Sequence, residues 1–271
     1  MPATIYVPST LEGVSKDGGV VSSQQIPLRT QAKPGDDSQL HTIDSLIRHR
    51  ASTYPHDHVV SYPSSGINYV DYTLQQLDIF AWRVAKHYQP NLPIRETSDE
   101  KPAVVAMLGP SNLEYLITML ALNKLGHTAL LLSTRIPQIA VESLVNATGA
   151  TAIIADRRFT ELADNVSNSI STLRCFPIAG RDLFEYSIEA HGDTQLDGHL
   201  DPKVETENIA WIIHSSGTYT SAWFPEYANH FSGSTGLPKP IYQTQKSCLP
   251  NYALKFWYKL HRLFLWPQQP L

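Results

Sequence analysis

From Ala103 to Ile178 short apolar runs alternate with helix-length segments, the arrangement that a parallel sheet with crossover helices requires. The runs predict strands at Ala103–Leu108, His127–Ser133, Thr151–Ala155 and Leu173–Ile178. Between the first two, Ser111 and Glu114 have capping-box spacing, Leu113, Leu116, Ile117, Leu120 and Leu122 supply apolar helix faces, and Gly126 supplies a left-handed stop. A second helix starts near Pro137, carries Ile139, Val141, Leu144 and Val145 inward, and runs towards Gly149. A weaker third helix spans Phe159 to Ile170. Upstream, Thr42 caps a helix with Ile43, Leu46 and Ile47 on one side, ending near Tyr54-Pro55. Thr73 with Gln76 opens another, bearing Leu74, Leu77, Phe80, Ala81 and Val84. Past a polar connector of about twenty-five residues, Ile209–Ile213 reads as one more buried strand. The fold class expected is α/β, a mostly parallel sheet flanked by helices.

Length and composition agree with one such domain or two small ones: 271 residues, 42% hydrophobic and 17% charged. The first forty residues carry Gly, Ser, Pro and Gln without a sustained period and are expected to form a mobile arm, residues 1–40. A net charge of -4 argues against a nucleic-acid partner, because that binding is driven by Lys and Arg neutralising phosphates. The apolar runs are too short for a membrane span, and the start MPATIYVPSTLEG lacks the pattern of a secretory signal. Cys175 and Cys248 cannot build a disulfide framework or a cysteine zinc site, so a cytoplasmic setting is expected. Both cysteines read as inert packing thiols. The Asn146-Ala-Thr and Asn165-Val-Ser glycosylation patterns are then chance matches.

Chemistry concentrates after the last strand, which runs into His214-Ser215-Ser216-Gly217, with Gly233-Ser234-Thr235-Gly236-Leu237-Pro238-Lys239-Pro240 further on. Small hydroxyl residues and glycines at a strand end expose backbone N–H groups that wrap a phosphate, and a nearby lysine adds a point charge. The string is not a Walker A loop, since Pro238 and Pro240 flank Lys239 where that motif has Gly and Ser or Thr. His214 reads either as a nucleotide or substrate contact or as a structural histidine at a strand end. His56-x-His58 with Asp57 has ligand chemistry but no second cluster, and the loop after Pro55 favours a solvated turn, so no metal site is expected.

Joining Ser215-Ser216-Gly217 to Ser234-Thr235-Gly236-Leu237-Pro238-Lys239 gives SSGSTGLPK, which resembles the phosphate-binding loop of adenylate-forming enzymes: acyl-CoA synthetases, nonribosomal peptide synthetase adenylation domains and luciferases. With Pro240-Ile-Tyr-Gln-Thr244 and Leu116 to Ser133, the likeness is nearest to fungal adenylating reductases of the aminoadipate-reductase type. The resemblance implies residues 41–251 as a partial AMP-binding domain, the incomplete large N-terminal domain of such an enzyme. It implies ATP and Mg²⁺, a small carboxylic acid as partner and acyl-adenylate as product. Ser215, Ser216, Gly217, Ser234, Thr235, Gly236 and Lys239 would hold the phosphates, Lys239 neutralising those that leave. A phosphopantetheine carrier domain, and often a reductase, belongs to full-length relatives.

Two departures stand beside the likeness. Sixteen residues, Thr218 to Gly233, split the motif, and their encoding permits splice-donor, branch-point and acceptor sequences at the right places, so a retained in-frame intron is expected from the genomic codons. The tail 252–271, rich in Leu, Phe and Trp with Lys255, Lys259 and Arg262, reads as a truncated core helix or out-of-frame segment, or as a basic amphipathic membrane-surface segment. The family's ribose-binding aspartate and catalytic lysine would lie beyond it. Three functions compete: a carboxylate-activating enzyme or fragment, expected to be inactive alone; an inactive product of a truncated or misannotated gene; and a non-catalytic nucleotide-binding or scaffold protein.

Overall fold

The computed structural model describes residues 40–65, 68–188, 200–215 and 236–249. Residues 1–39 of the expected arm, the whole of the 218–233 insertion and the 252–271 tail lie outside the described residues. The helix α1 (Ile43–Thr53) is capped as its sequence predicts: the Thr42 hydroxyl accepts from the Ser45 N–H, and Ser45 reciprocates on the Thr42 N–H. A hairpin follows, β1 (His58–Ser65) antiparallel to β2 (Asn68–Thr73), with no counterpart among the sequence expectations. It feeds α2 (Leu74–Tyr88) through the Thr73/Gln76 capping box.

The main sheet contains β3 (Val104–Leu108), β4 (Thr128–Leu132), β5 (Ala152–Ala155), β6 (Arg174–Pro177), β7 (Ile209–His214) and β8 (Pro240–Thr244) in the order β6-β5-β3-β4-β7-β8. Five strands are parallel and β8 is antiparallel to β7. The crossovers are α3 (Leu113–Lys124), α4 (Gln138–Thr148) and α5 (Thr160–Ser169). One-turn helices α6 (Arg181–Phe184) and α7 (Pro202–Glu205) lie in the polar connector, and α8 (Gln245–Cys248) follows β8. The parallel α/β class is therefore as expected, with β8 added at the rim.

Side-chain alternation sorts the core into two layers. Val105, Met107, Ala152 and Ile154 pack with α1, α2, α3 and Phe184, while Ala106, Leu108, Ile153 and Ala155 pack with α4 and α5. Each reversal of direction across the sheet changes the helical face, as a constant crossover hand requires. Helix α3 lies under α1 and α2, and eleven of its twelve residues are buried.

Two local expectations need correction. The α3 cap is Asn112, whose Oδ1 accepts from the Tyr115 N–H at 3.0 Å, and not Ser111. Glu114 is thereby left outside a capping box and accepts instead from Arg181 Nε at 3.1 Å. Asn and Ser cap about equally well, so the later start wins by putting Leu113 in the core. Ile139, expected to face inward, is 60% exposed. At 3.6 residues per turn it stands about 200° from Val141, whereas Ala140, Val141, Leu144 and Val145 share the buried face. Gly126 and Gly149 adopt positive φ, 78° and 65°, as helix stops should.

Lys124 joins the three helices of one layer. Its ammonium, with 2% of the side chain exposed, donates to Asp78 and, at 2.8 Å, to Asp44. Lys124→Met would take the ammonium away from the buried Asp78 carboxylate, while Asp44 keeps Arg48 at 2.8 Å, and is expected to lower unfolding free energy by about 3 kcal/mol, read from urea denaturation.

His127, just before β4, has its Nε2–H donating to the Pro93 carbonyl at 2.9 Å. Burial holds its pKa below the ordinary value of 6.5, against the opposing Pro93 bond and with help from Arg95. The unfolded chain therefore binds the proton more readily, and the neutral ring's contribution is lost as pH falls through about 6.5. His127→Gln, which keeps a donor to Pro93, should show a shallower loss of stability between pH 7 and 5 than the parent in parallel urea titrations.

Candidate functional site

Because β3, β4, β5, β6 and β7 are parallel, their carboxyl ends share one edge, and antiparallel β8 brings Lys239 and Pro240 back to it. Open α/β sheets present ligands at this edge. The β7–β8 ladder runs to His214 opposite Pro240 and is extended by one unusual pair. The Ser215 N–H donates to the Lys239 carbonyl at 3.0 Å, while the Lys239 N–H donates to the Ser215 hydroxyl at 3.0 Å. The Ser215 side chain thus replaces the carbonyl that an ordinary antiparallel pair would offer.

That substitution frees the Ser215 carbonyl, which meets His214 Nδ1 at 3.0 Å. The other ring nitrogen, Nε2, accepts from the Ser133 N–H at 3.0 Å, in the turn after β4. Since a backbone N–H can only donate, Nε2 is unprotonated and Nδ1 carries the hydrogen. His214 is therefore a neutral bridge between the ends of two neighbouring strands. Ser133 was legible as a strand end, but nothing in its local sequence signals this contact.

Of the residues expected to hold phosphate, Ser215, Gly236 and Lys239 stand at this edge, with Lys239 exposed. Ser216, Gly217, Ser234 and Thr235 lie outside the described residues. Gly236 has φ +60° with open space where a Cβ would sit, so its backbone conformation, not crowding, selects glycine. The rim also carries exposed Arg135 after β4 and Arg157 after β5. Arg158 is bound to Asp156 at 2.8 Å. Burial raises the Asp156 pKa, but its bonds to Arg158 outweigh this and hold the carboxyl below its usual range.

The remaining candidates are dispersed. His58 Nδ1 stands 3.8 Å from Asp71 on the exposed hairpin. Among the described residues no three His, Cys, Asp or Glu side chains group to hold a metal. Cys175 lies by a cavity of about 170 Å³ between β5, β6 and α5; burial and Asp164 push its thiol up to about 11, which keeps it a thiol. No helix among the described residues is long and apolar enough to cross a membrane.

A mostly parallel sheet covered by helices on both faces, with Ser215 and Lys239 paired at its carboxyl edge, defines an open α/β fold of the kind that presents ligands at that edge. The chain belongs to the family described as AMP-binding enzyme, whose model matches residues 47–220. That family forms acyl adenylates, typically from ATP. The match closes at Thr220, just inside the segment that splits the motif. The non-canonical non-ribosomal peptide synthetase ascB of Acremonium egyptiacum is 25% identical over 214 residues, covering 78% of this chain and 18% of that protein. The adenylate-forming reductase stbB of Stachybotrys bisbyi is 27% identical over 222 residues, with the same coverage of each. The chain thus spans about a fifth of these relatives' length. Among solved structures, a Mycobacterium tuberculosis fatty acyl CoA synthetase superposes with a TM-score of 0.55 at 19% identity, over 79% of this chain and 36% of that one. The anthranilate CoA ligase AuaEII in complex with anthranoyl-AMP gives 0.56 at 16% identity, over 76% and 34%. These superpositions establish the fold.

The Ser215 hydroxyl is the acceptor that keeps Lys239 in register. Ser215→Ala should destabilise the chain by about 1 kcal/mol and speed hydrogen exchange at the Lys239 amide, while exchange in α3 stays unchanged.

Proposed function

We propose that this chain is the phosphate-loop portion of an adenylation domain that activates a small carboxylic acid with ATP, in an enzyme of the fungal nonribosomal-peptide-synthetase-like reductase type. The observation that supports the proposal is the Ser215–Lys239 pair, in which the first and last residues of the split motif are hydrogen-bonded to each other at the carboxyl edge. The names of the matched fungal relatives support the subtype. In the reaction, a substrate carboxylate oxygen bonds to the α-phosphorus of ATP, the α–β bridging P–O bond breaks, and pyrophosphate leaves. Backbone N–H groups of Ser216, Gly217, Ser234, Thr235 and Gly236 are assigned to the phosphate oxygens, and the Lys239 ammonium to charge on the leaving pyrophosphate. Mg²⁺ would arrive on the triphosphate, because the described residues offer no carboxylate cage for it. A cytoplasmic setting, and a carrier domain receiving the acyl group in the longer protein, complete this reading.

The sixteen-residue interruption favours a second reading for the 271-residue chain taken alone, that of a chemically silent product or nucleotide-binding scaffold. Phosphate donors must be placed to a fraction of an ångström, and displacing one typically costs ~10²–10³ in rate. The chain alone is expected to show no ATP–pyrophosphate exchange with any carboxylic acid. Deleting Thr218 to Gly233 should raise ATP affinity in calorimetric titration, with exchange following only when the rest of the adenylation domain is supplied. Robust exchange by the unmodified chain would overturn this second reading and leave the adenylation domain complete enough to act.

A further inference from the structure

We infer that His214 is a positioning residue, tying the base of the phosphate loop to the turn after β4, and does not itself bind the nucleotide. Both ring nitrogens are engaged: Nδ1–H with the Ser215 carbonyl, Nε2 with the Ser133 N–H. A phosphate oxygen needs a donor, and the ring's one N–H is spent on Ser215. Protonating the ring would supply a second N–H, but would turn Nε2 from acceptor into donor against the Ser133 N–H.

The location explains why a bridge is useful. The β4–β7 ladder pairs Ala129 with Trp211 and Leu130 with Ile212, and the imidazole carries the connection onward to Ser133. The adjoining Ser215 is in turn bonded twice to Lys239. A continuous path of four hydrogen bonds therefore runs from the β4 turn through His214 and Ser215 to the lysine at the far side of the loop. Ser133 also accepts from the Arg135 N–H at 3.2 Å through its hydroxyl, which fixes the turn that the imidazole holds. The tether stands on this geometry; its use in holding phosphate rests on the function proposed above.

The test is long-range ¹H–¹⁵N NMR on the complete chain, with His214 assigned by the signal missing in His214→Gln. The expected result is an unprotonated Nε2 and a protonated Nδ1 at neutral pH. Amide exchange then reads the tether. His214→Leu should speed exchange roughly tenfold at both Ser133 and Lys239. His214→Gln, whose side-chain oxygen reaches the Nε2 position, should restore protection at Ser133. A ring protonated at Nε2, or a His214→Leu variant with unaltered Ser133 or Lys239 exchange, would overturn the inference. Adding Mg-ATP separates the two claims. Ring nitrogen shifts towards the doubly protonated form would make His214 a nucleotide contact and sink the positioning role. No response at the loop in the variant lacking Thr218 to Gly233 would count against the proposed function, while the tautomer and exchange results would still decide the tether.

Discussion

The central strands have no face left for solvent. Val105 and Met107 meet one helical layer, Ala106 and Leu108 the other, and α3 is itself enclosed by α1 and α2. A backbone group in such a sheet satisfies its hydrogen bond inside the ladder or not at all. Free N–H groups that could turn towards a ligand therefore exist only where strands stop. Burial of the strands leaves backbone groups free only at the strand ends, and the polar groups at the carboxyl edge are arranged by where each strand stops.

At β7 the ending is gradual. Backbone pairing gives way at Ser215 to a side-chain hydroxyl, and beside it the ladder to β4 gives way to an imidazole. These exchanges close the neck of the loop independently of what the loop contains. Lengthening the loop by sixteen residues raises the closure cost by about 1 kcal/mol, a loss the fold can absorb.

Much of the architecture was legible because it rests on local rules. Thr42 and Thr73 announce their helices through hydroxyls that act three residues away, and Gly126 and Gly149 announce ends through a backbone angle few other residues tolerate. The parallel strands were legible because burial on both faces makes them continuously apolar. The β1–β2 hairpin was not, since β2 buries only Tyr72 and the pattern carries no alternation to detect. Strand β8 escaped notice for a related reason: Ile241 and Tyr242 are exposed and its partner lies on β7. At the site, Ser215, Gly236 and Lys239 could be picked from their motif. The His214 contact could not, because Ser133 is 81 positions away and only the folded sheet sets the two strand ends together.

The two-bond pair between Ser215 and Lys239 has a consequence for how such a chain fares in a cell. Quality control senses exposed core and frequency of unfolding, both governed here by helices and strands that the neck isolates from the loop. On the proposed function, such a chain could accumulate to normal levels with its phosphate loop altered, so that abundance would not report on activity. Lesions within the loop itself, which spare the roughly 1 kcal/mol held at the neck, would then leave the fold's abundance unchanged.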